Sequence, residues 1–134
     1  MTDPSPVQRV PLRILVVDAD DCIRESLAGL LRIGGQCAVV GSAGGPDDAV
    51  ALAVAMRPDV VLLDPRLPAM AGGRTIIACL REAVPWVRIL VLTGSDGAVG
   101  LARADGADAY VKKTFRPHEL IAAVVATAAR TSFA

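Results

Sequence analysis

Apolar residues in this chain alternate between two spacings, and that alternation restricts the fold more than any other feature. Ile14-Leu15-Val16-Val17 is a short β-branched run closing on Asp18, the pattern of a strand buried on both faces. Ile23, Leu27, Leu30 and Leu31 then share one helical stripe, which stops at Gly34-Gly35. Ala38-Val39-Val40 is a second strand, and residues 41–45 are a loop. Asp47-Asp48 sit where a helix N-terminus favours acids, and the helix they open runs to about Met56. Pro58-Asp59 precedes a third strand, Val60-Val61-Leu62-Leu63, which closes on Asp64. Ile76, Ile77 and Leu80 mark a third helix that ends before Pro85, and Ile89-Leu90-Val91-Leu92 is a fourth strand ending at Thr93. A weak helix around residues 99–104 and a fifth strand, Ala109 to Lys112, follow. Pro117 suits the first turn of the last helix, with Leu120, Ile121, Val124 and Val125 on its apolar side.

Five strand–helix alternations within 134 residues describe one α/β domain with a mostly parallel sheet. Residues 1–10 are a Pro-rich polar tail expected to be mobile, 11–130 the domain, and 131–134 a short tail or the start of a linker. The 14 basic and 14 acidic residues cancel, which argues against nonspecific binding to nucleic acid or a membrane surface. Runs without charge are broken well short of the roughly 20 apolar residues of a spanning helix, and the N-terminus lacks the pattern of a signal peptide. Cys22, Cys37 and Cys79 show no CxxC spacing and accompany a single His118, so a zinc site and a disulfide framework are both excluded. The three are expected to be buried thiols in a reducing cytoplasm.

In open parallel sheets functional groups gather beyond the carboxyl ends of the strands. Asp18, Asp20 and Asp21 follow the first strand, Asp64 the third, Thr93 the fourth and Lys113 the fifth. Clustered carboxylates repel unless a cation bridges them, and hard oxygen ligands suit Mg²⁺. A lysine and a hydroxyl nearby would hold the remaining oxygens of a phosphoryl group accepted by one aspartate. Each residue taken singly has an ordinary reading: Asp20 or Asp21 as a helix cap, Thr93 as a turn residue, Lys113 as a solvated charge. Asp64 is the least ordinary, since it closes a wholly apolar strand and is flanked by Pro65, Arg66 and Pro68.

The segments ILVVD at 14–18, PDVVLLDPRLPAMAGG at 58–73, ILVLTG at 89–94 and GADAYVKKTFRPHEL at 106–120 together resemble the receiver domain of two-component response regulators. The resemblance covers about residues 12–128 and implies a flavodoxin-like (CheY-like), doubly wound, five-stranded parallel sheet, (βα)5. It further implies that Asp64 accepts a phosphoryl group from a histidine kinase, with Thr93 the reorienting hydroxyl, Lys113 the phosphate-pairing lysine and Tyr110 the switch aromatic. Asp18 and Asp64 would hold Mg²⁺. The domain would not be an enzyme beyond self-catalysed phosphoryl transfer and autodephosphorylation. Its fourth helix, fifth strand and last helix would form the signalling face and a homodimer contact. It would be cytoplasmic, with no membrane and no nucleic-acid contact of its own, and a DNA-binding output domain would lie in any longer chain.

Three positions depart from the family pattern. Ala19 replaces the usual second acid of the first strand end, and a methyl group cannot ligate a metal, leaving Asp20 as the candidate substitute. Thr114 follows Lys113 where the family commonly has a cis-proline, which makes a cis bond costly by roughly 3 kcal/mol. The stretch from Thr93 to Tyr110 is short and carries Gly94, Gly97, Gly100 and Gly106, which softens the fourth helix. These departures favour a competing expectation, a degenerate receiver acting as a phosphorylation-independent dimerisation module. Asp18-Ala19-Asp20 also matches the DxD signature of haloacid-dehalogenase-type phosphatases, a third expectation that leaves the Asp64 segment unexplained. Flavin binding is disfavoured, because a phosphate-cradling first loop needs Gly, Ser and Thr donors.

Overall fold

The β-branched runs become the centre of a single five-stranded parallel sheet in the computed structural model, which describes residues 10–94, 106–113 and 116–130. Its strands are β1 (Leu12–Val17), β2 (Cys37–Ala43), β3 (Val60–Leu63), β4 (Arg88–Thr93) and β5 (Ala109–Lys112), in the order β2-β1-β3-β4-β5. The described helices are α1 (Asp21–Leu31), α2 (Pro46–Met56), α3 (Ile76–Ala83) and α4 (Pro117–Ala128). The order reverses at β1 and β3, and such a switch point opens a crevice at the carboxyl ends of those two strands.

Alternate residues of the central strands feed two separate cores. Leu15, Val17, Val61, Leu63, Ile89 and Val91 face Ala49 and Ala53 of α2 and Ile76, Ile77 and Leu80 of α3. Ile14, Val16, Val60, Leu62, Leu90 and Leu92 face Leu27 and Leu31 of α1 and Leu120, Ile121 and Val124 of α4. Because strand side chains alternate with period two, an unbroken apolar run is what a sheet covered on both faces requires. Each of these leucines contributes about 1.5–3 kcal/mol by leaving water. The register of the sheet decides what meets at its rim.

Local chemistry fixes the helix starts. Asp20 caps α1, its Oδ1 accepting from the Ile23 amide at 3.1 Å, and Thr75 caps α3, its Oγ1 accepting from the Ala78 amide at 3.1 Å. Pro46 and Pro117 open α2 and α4. Arg81 on α3 reaches Asp108 Oδ2 at 2.7 Å, and the same oxygen accepts from the Ile89 amide at 2.7 Å. That carboxylate fastens the chain entering β5 to both β4 and α3.

Several expectations need correction. Residues 41–43 belong to β2 rather than to a loop, because pairing with Leu15 to Val17 of β1 extends the strand to Ala43. Only Cys37 is a buried thiol. Cys22 is exposed in the first turn of α1 and Cys79 is half-buried on α3, both lying off their helices' inward stripes. Val125 is exposed, and the buried position on that side of α4 is Thr127, whose hydroxyl donates to the Ala123 carbonyl at 2.7 Å. The helix expected at 99–104 and Thr114 lie outside the described residues, as do residues 1–9 of the tail expected at 1–10 and the tail expected at 131–134.

Candidate functional site

The sheet register assembles the site. Val17 of β1 pairs with Leu63 of β3, so the residues that follow them, Asp18 and Asp64, leave adjacent strands side by side. The Asp64 amide donates to the Val17 carbonyl at 2.9 Å, and the Asp18 amide to the Ala43 carbonyl at 3.1 Å. On the other side Thr93 of β4 pairs with Lys112, and the Lys113 amide donates to the Thr93 carbonyl at 2.7 Å. Four strand ends therefore deliver Asp18, Asp64, Thr93 and Lys113 to one rim.

Lys113 joins the two buried acids. Its Nζ lies 3.2 Å from Asp64 Oδ2, to which it donates a hydrogen bond, and 3.0 Å from Asp18 Oδ2. The second contact is an ion pair without hydrogen-bond alignment, so Asp18 Oδ2 is buried with no aligned donor. Asp18 Oδ1 accepts from the Asp20 amide at 2.9 Å. Only 2% of Asp18 and 6% of Asp64 is exposed, so both charges depend on these partners.

Arg66 is the residue that sequence reasoning passed over. Its amide donates to Asp64 Oδ1 at 3.0 Å, which closes a tight turn across Pro65. From that turn the guanidinium folds back over the carboxylate, with Nε 3.2 Å from Oδ1 and an NH₂ group 3.3 Å from Oδ2. A fork of this kind matches both carboxylate oxygens. The available signal was a basic residue two positions after an acid that closes an apolar strand. Burial pushes the Asp64 carboxyl up, but hydrogen bonds from the Arg66 side chain and amide, together with the charge of Lys113, outweigh it and hold the group below the usual carboxylate value. Asp64 is therefore an anion near neutral pH and available as a nucleophile.

Other candidates sit elsewhere. The Asp20 side chain is exposed and committed to capping α1, and Asp21 is exposed and paired with Arg24. Asp18 and Asp20 thus do not converge as a nucleophile and general acid of a DxD phosphatase would. The expected crowd of acids at this edge is instead one buried pair, because the chain turns into α1 directly after Ala19. Thr93 Oγ1 donates to the Val111 carbonyl at 3.4 Å, a long hydrogen bond that is easily exchanged. Tyr110 stands 44% exposed on the edge strand β5.

The response regulator receiver domain model matches residues 14–125. The chain belongs to this family. As a receiver it is 38% identical over 117 residues to the DNA-binding transcriptional activator DevR/DosR of Mycobacterium tuberculosis, covering 84% of this chain and 52% of that protein. It is 41% identical over 115 residues to the DNA-binding response regulator MtrA of Mycolicibacterium smegmatis, covering 84% of this chain and 48% of that protein. Among solved structures, the signal receiver domain of NarL from Mycobacterium tuberculosis superposes with a TM-score of 0.78 at 30% identity, covering 90% of this chain and 98% of that one. The chain spans about half the length of the curated relatives it matches. The flavodoxin-like sheet and the place of this receiver in two-component signalling agree with what the sequence motifs imply. Among the described residues no helix is long and apolar enough to cross a membrane.

Receivers typically bind Mg²⁺ in an acidic pocket, and the residues present here fit that ion poorly. Mg²⁺ demands six oxygen ligands in near-ideal octahedral geometry. Among the described residues the pocket brings two carboxylates, Asp18 and Asp64, beside a methyl at Ala19, and both acids already face cations. Among the described residues no group of three or more His, Cys, Asp or Glu side chains could hold a metal ion.

Proposed function

We propose that Asp64 accepts a phosphoryl group from a histidine kinase and that Lys113 and Thr93 hold the acyl phosphate. The observation that carries this reading is Lys113 Nζ at 3.2 Å from the carboxylate of Asp64, at the closing end of β3. One Asp64 oxygen attacks phosphorus, a P–O bond forms, and the P–N bond to the kinase imidazole breaks with its electron pair returning to nitrogen. Lys113 then meets a phosphoryl oxygen instead of a bare carboxylate, and Thr93 turns from Val111 to a second oxygen. The domain works as a signalling switch, and its only chemistry is phosphoryl transfer onto Asp64 and hydrolysis from it.

The switch is read on the β5 side of the sheet, where Tyr110 is exposed beside Lys112. Rearrangement at Thr93 reaches that strand through its hydrogen bond to Val111, and the face then binds a second copy or an output domain. A DNA-binding output domain in a longer chain is the proposed effector. Ala19 favours a second reading, a phosphorylation-independent interaction module. Incubation with phosphoramidate followed by intact mass separates the two. Addition of one phosphoryl group, lost in Asp64→Asn, supports the acceptor, whereas an unmodified chain under all conditions supports the module.

A further inference from the structure

We infer that the guanidinium of Arg66 is the resident cation of the Asp64 pocket, standing where a receiver would otherwise need a divalent metal ion. The inference rests on the phospho-acceptor reading for its purpose, but not for its binding measurement. The geometry is specific: three donors from one residue, the amide at 3.0 Å, Nε at 3.2 Å and an NH₂ group at 3.3 Å, cover both oxygens of Asp64. Charge points the same way. Among the described residues, the carboxylates of Asp18 and Asp64 are matched by the cations of Lys113 and Arg66, so these four side chains present no net negative charge to a dication.

Ala19 and Arg66 act on the same charge balance. A second acid at position 19 would leave the pocket one negative charge in excess, the condition that calls for a metal. A methyl there together with an arginine two residues beyond Asp64 removes that excess. The Arg66 side chain is half exposed while the Asp64 side chain is 8% exposed, so the guanidinium closes the mouth of the pocket from the solvent side. Arginine is suited to the role because its planar fork pairs with phosphoryl oxygens as readily as with a carboxylate. When Asp64 is phosphorylated, the same guanidinium can move from the carboxylate to the phosphoryl oxygens and neutralise them without an added ion.

The test is a Mg²⁺ titration followed by amide NMR shifts around Asp64, on the full chain, its Arg66→Gln variant and the control Arg74→Gln, whose side chain pairs with Glu82 away from the pocket. Loss of a half-exposed bidentate pair should tighten Mg²⁺ binding about 5–10-fold in Arg66→Gln, with no change in Arg74→Gln. Equal Mg²⁺ affinity in the original chain and Arg66→Gln, or tighter binding in the original, overturns the inference. Phosphoramidate labelling of the original chain supplies a second readout. Equal labelling in EDTA and in Mg²⁺ supports the role of Arg66, and labelling that requires Mg²⁺ overturns it. Absence of labelling in both conditions defeats the phospho-acceptor reading, and the titration still decides what Arg66 does.

Discussion

Replacing Lys113 by methionine removes one charge and keeps most of the apolar stem, which makes it the sharpest probe of how the pocket is held together. The ammonium lies 3.0 Å from Asp18 Oδ2 and 3.2 Å from Asp64 Oδ2, and only 14% of the lysine side chain is exposed. Each contact is worth about 5 kcal/mol of gross attraction at an effective dielectric of about 20. Desolvation of the three charged groups offsets most of that. After the substitution Asp64 keeps Arg66, but Asp18 is left as a buried anion with one oxygen that has no donor. The expected loss at pH 7 is therefore about 2–4 kcal/mol, towards the lower end of the range for a broken buried pair. Equilibrium urea unfolding reads this directly. In an Asp18→Asn background the same substitution should cost under about 1 kcal/mol, because the anion that needed Lys113 is gone. A Lys113→Met protein within about 0.5 kcal/mol of the original, or an undiminished loss in the Asp18→Asn background, would refute the idea that Lys113 balances the buried acids.

Acid should act through Asp64 in a defined direction. Its folded pKa is depressed, so its contribution is complete above the ordinary carboxyl value of about 3.9 and fades as pH falls through the lower folded value. Urea midpoints measured from pH 7 to pH 3 should therefore fall less steeply for Asp64→Asn than for the original chain. Asp108→Ala leaves the buried Ile89 amide and the Arg81 guanidinium without their shared acceptor, and should cost about 2 kcal/mol in the same assay. Thr75→Ala removes the cap of α3 and should cost about 1 kcal/mol, seen as a lower melting temperature by circular dichroism.

How far the sequence reached depends on what each residue answers to. The central strands were readable because Ile14 to Val17, Val60 to Leu63 and Ile89 to Leu92 are apolar without interruption, and a sheet covered on both faces leaves such runs no other arrangement. Strand order and register bring Asp18, Asp64, Thr93 and Lys113 together, four of the six residues that the strand-end rule selects, and leave Asp20 and Asp21 outside. Residues 41–43 were misread because glycine and serine look like a loop, while pairing with β1 extends the strand through them. Sequence leaves Asp20 open between helix cap and pocket ligand, because its side-chain direction depends on where α1 begins, and the cap is what forms. Arg66 escaped notice for a related reason: the turn at Pro65 decides whether an arginine there reaches solvent or folds back onto Asp64, and composition carries no trace of that choice.

In the proposed function Asp64, and no other carboxylate at this rim, carries the phosphoryl group. Borohydride reduction of the phosphorylated chain, followed by peptide mass spectrometry, locates an acyl phosphate by converting its aspartate to homoserine. Conversion is expected at Asp64 alone and is abolished in Asp64→Asn. Conversion at Asp18, or an adduct that persists in Asp64→Asn, would contradict it.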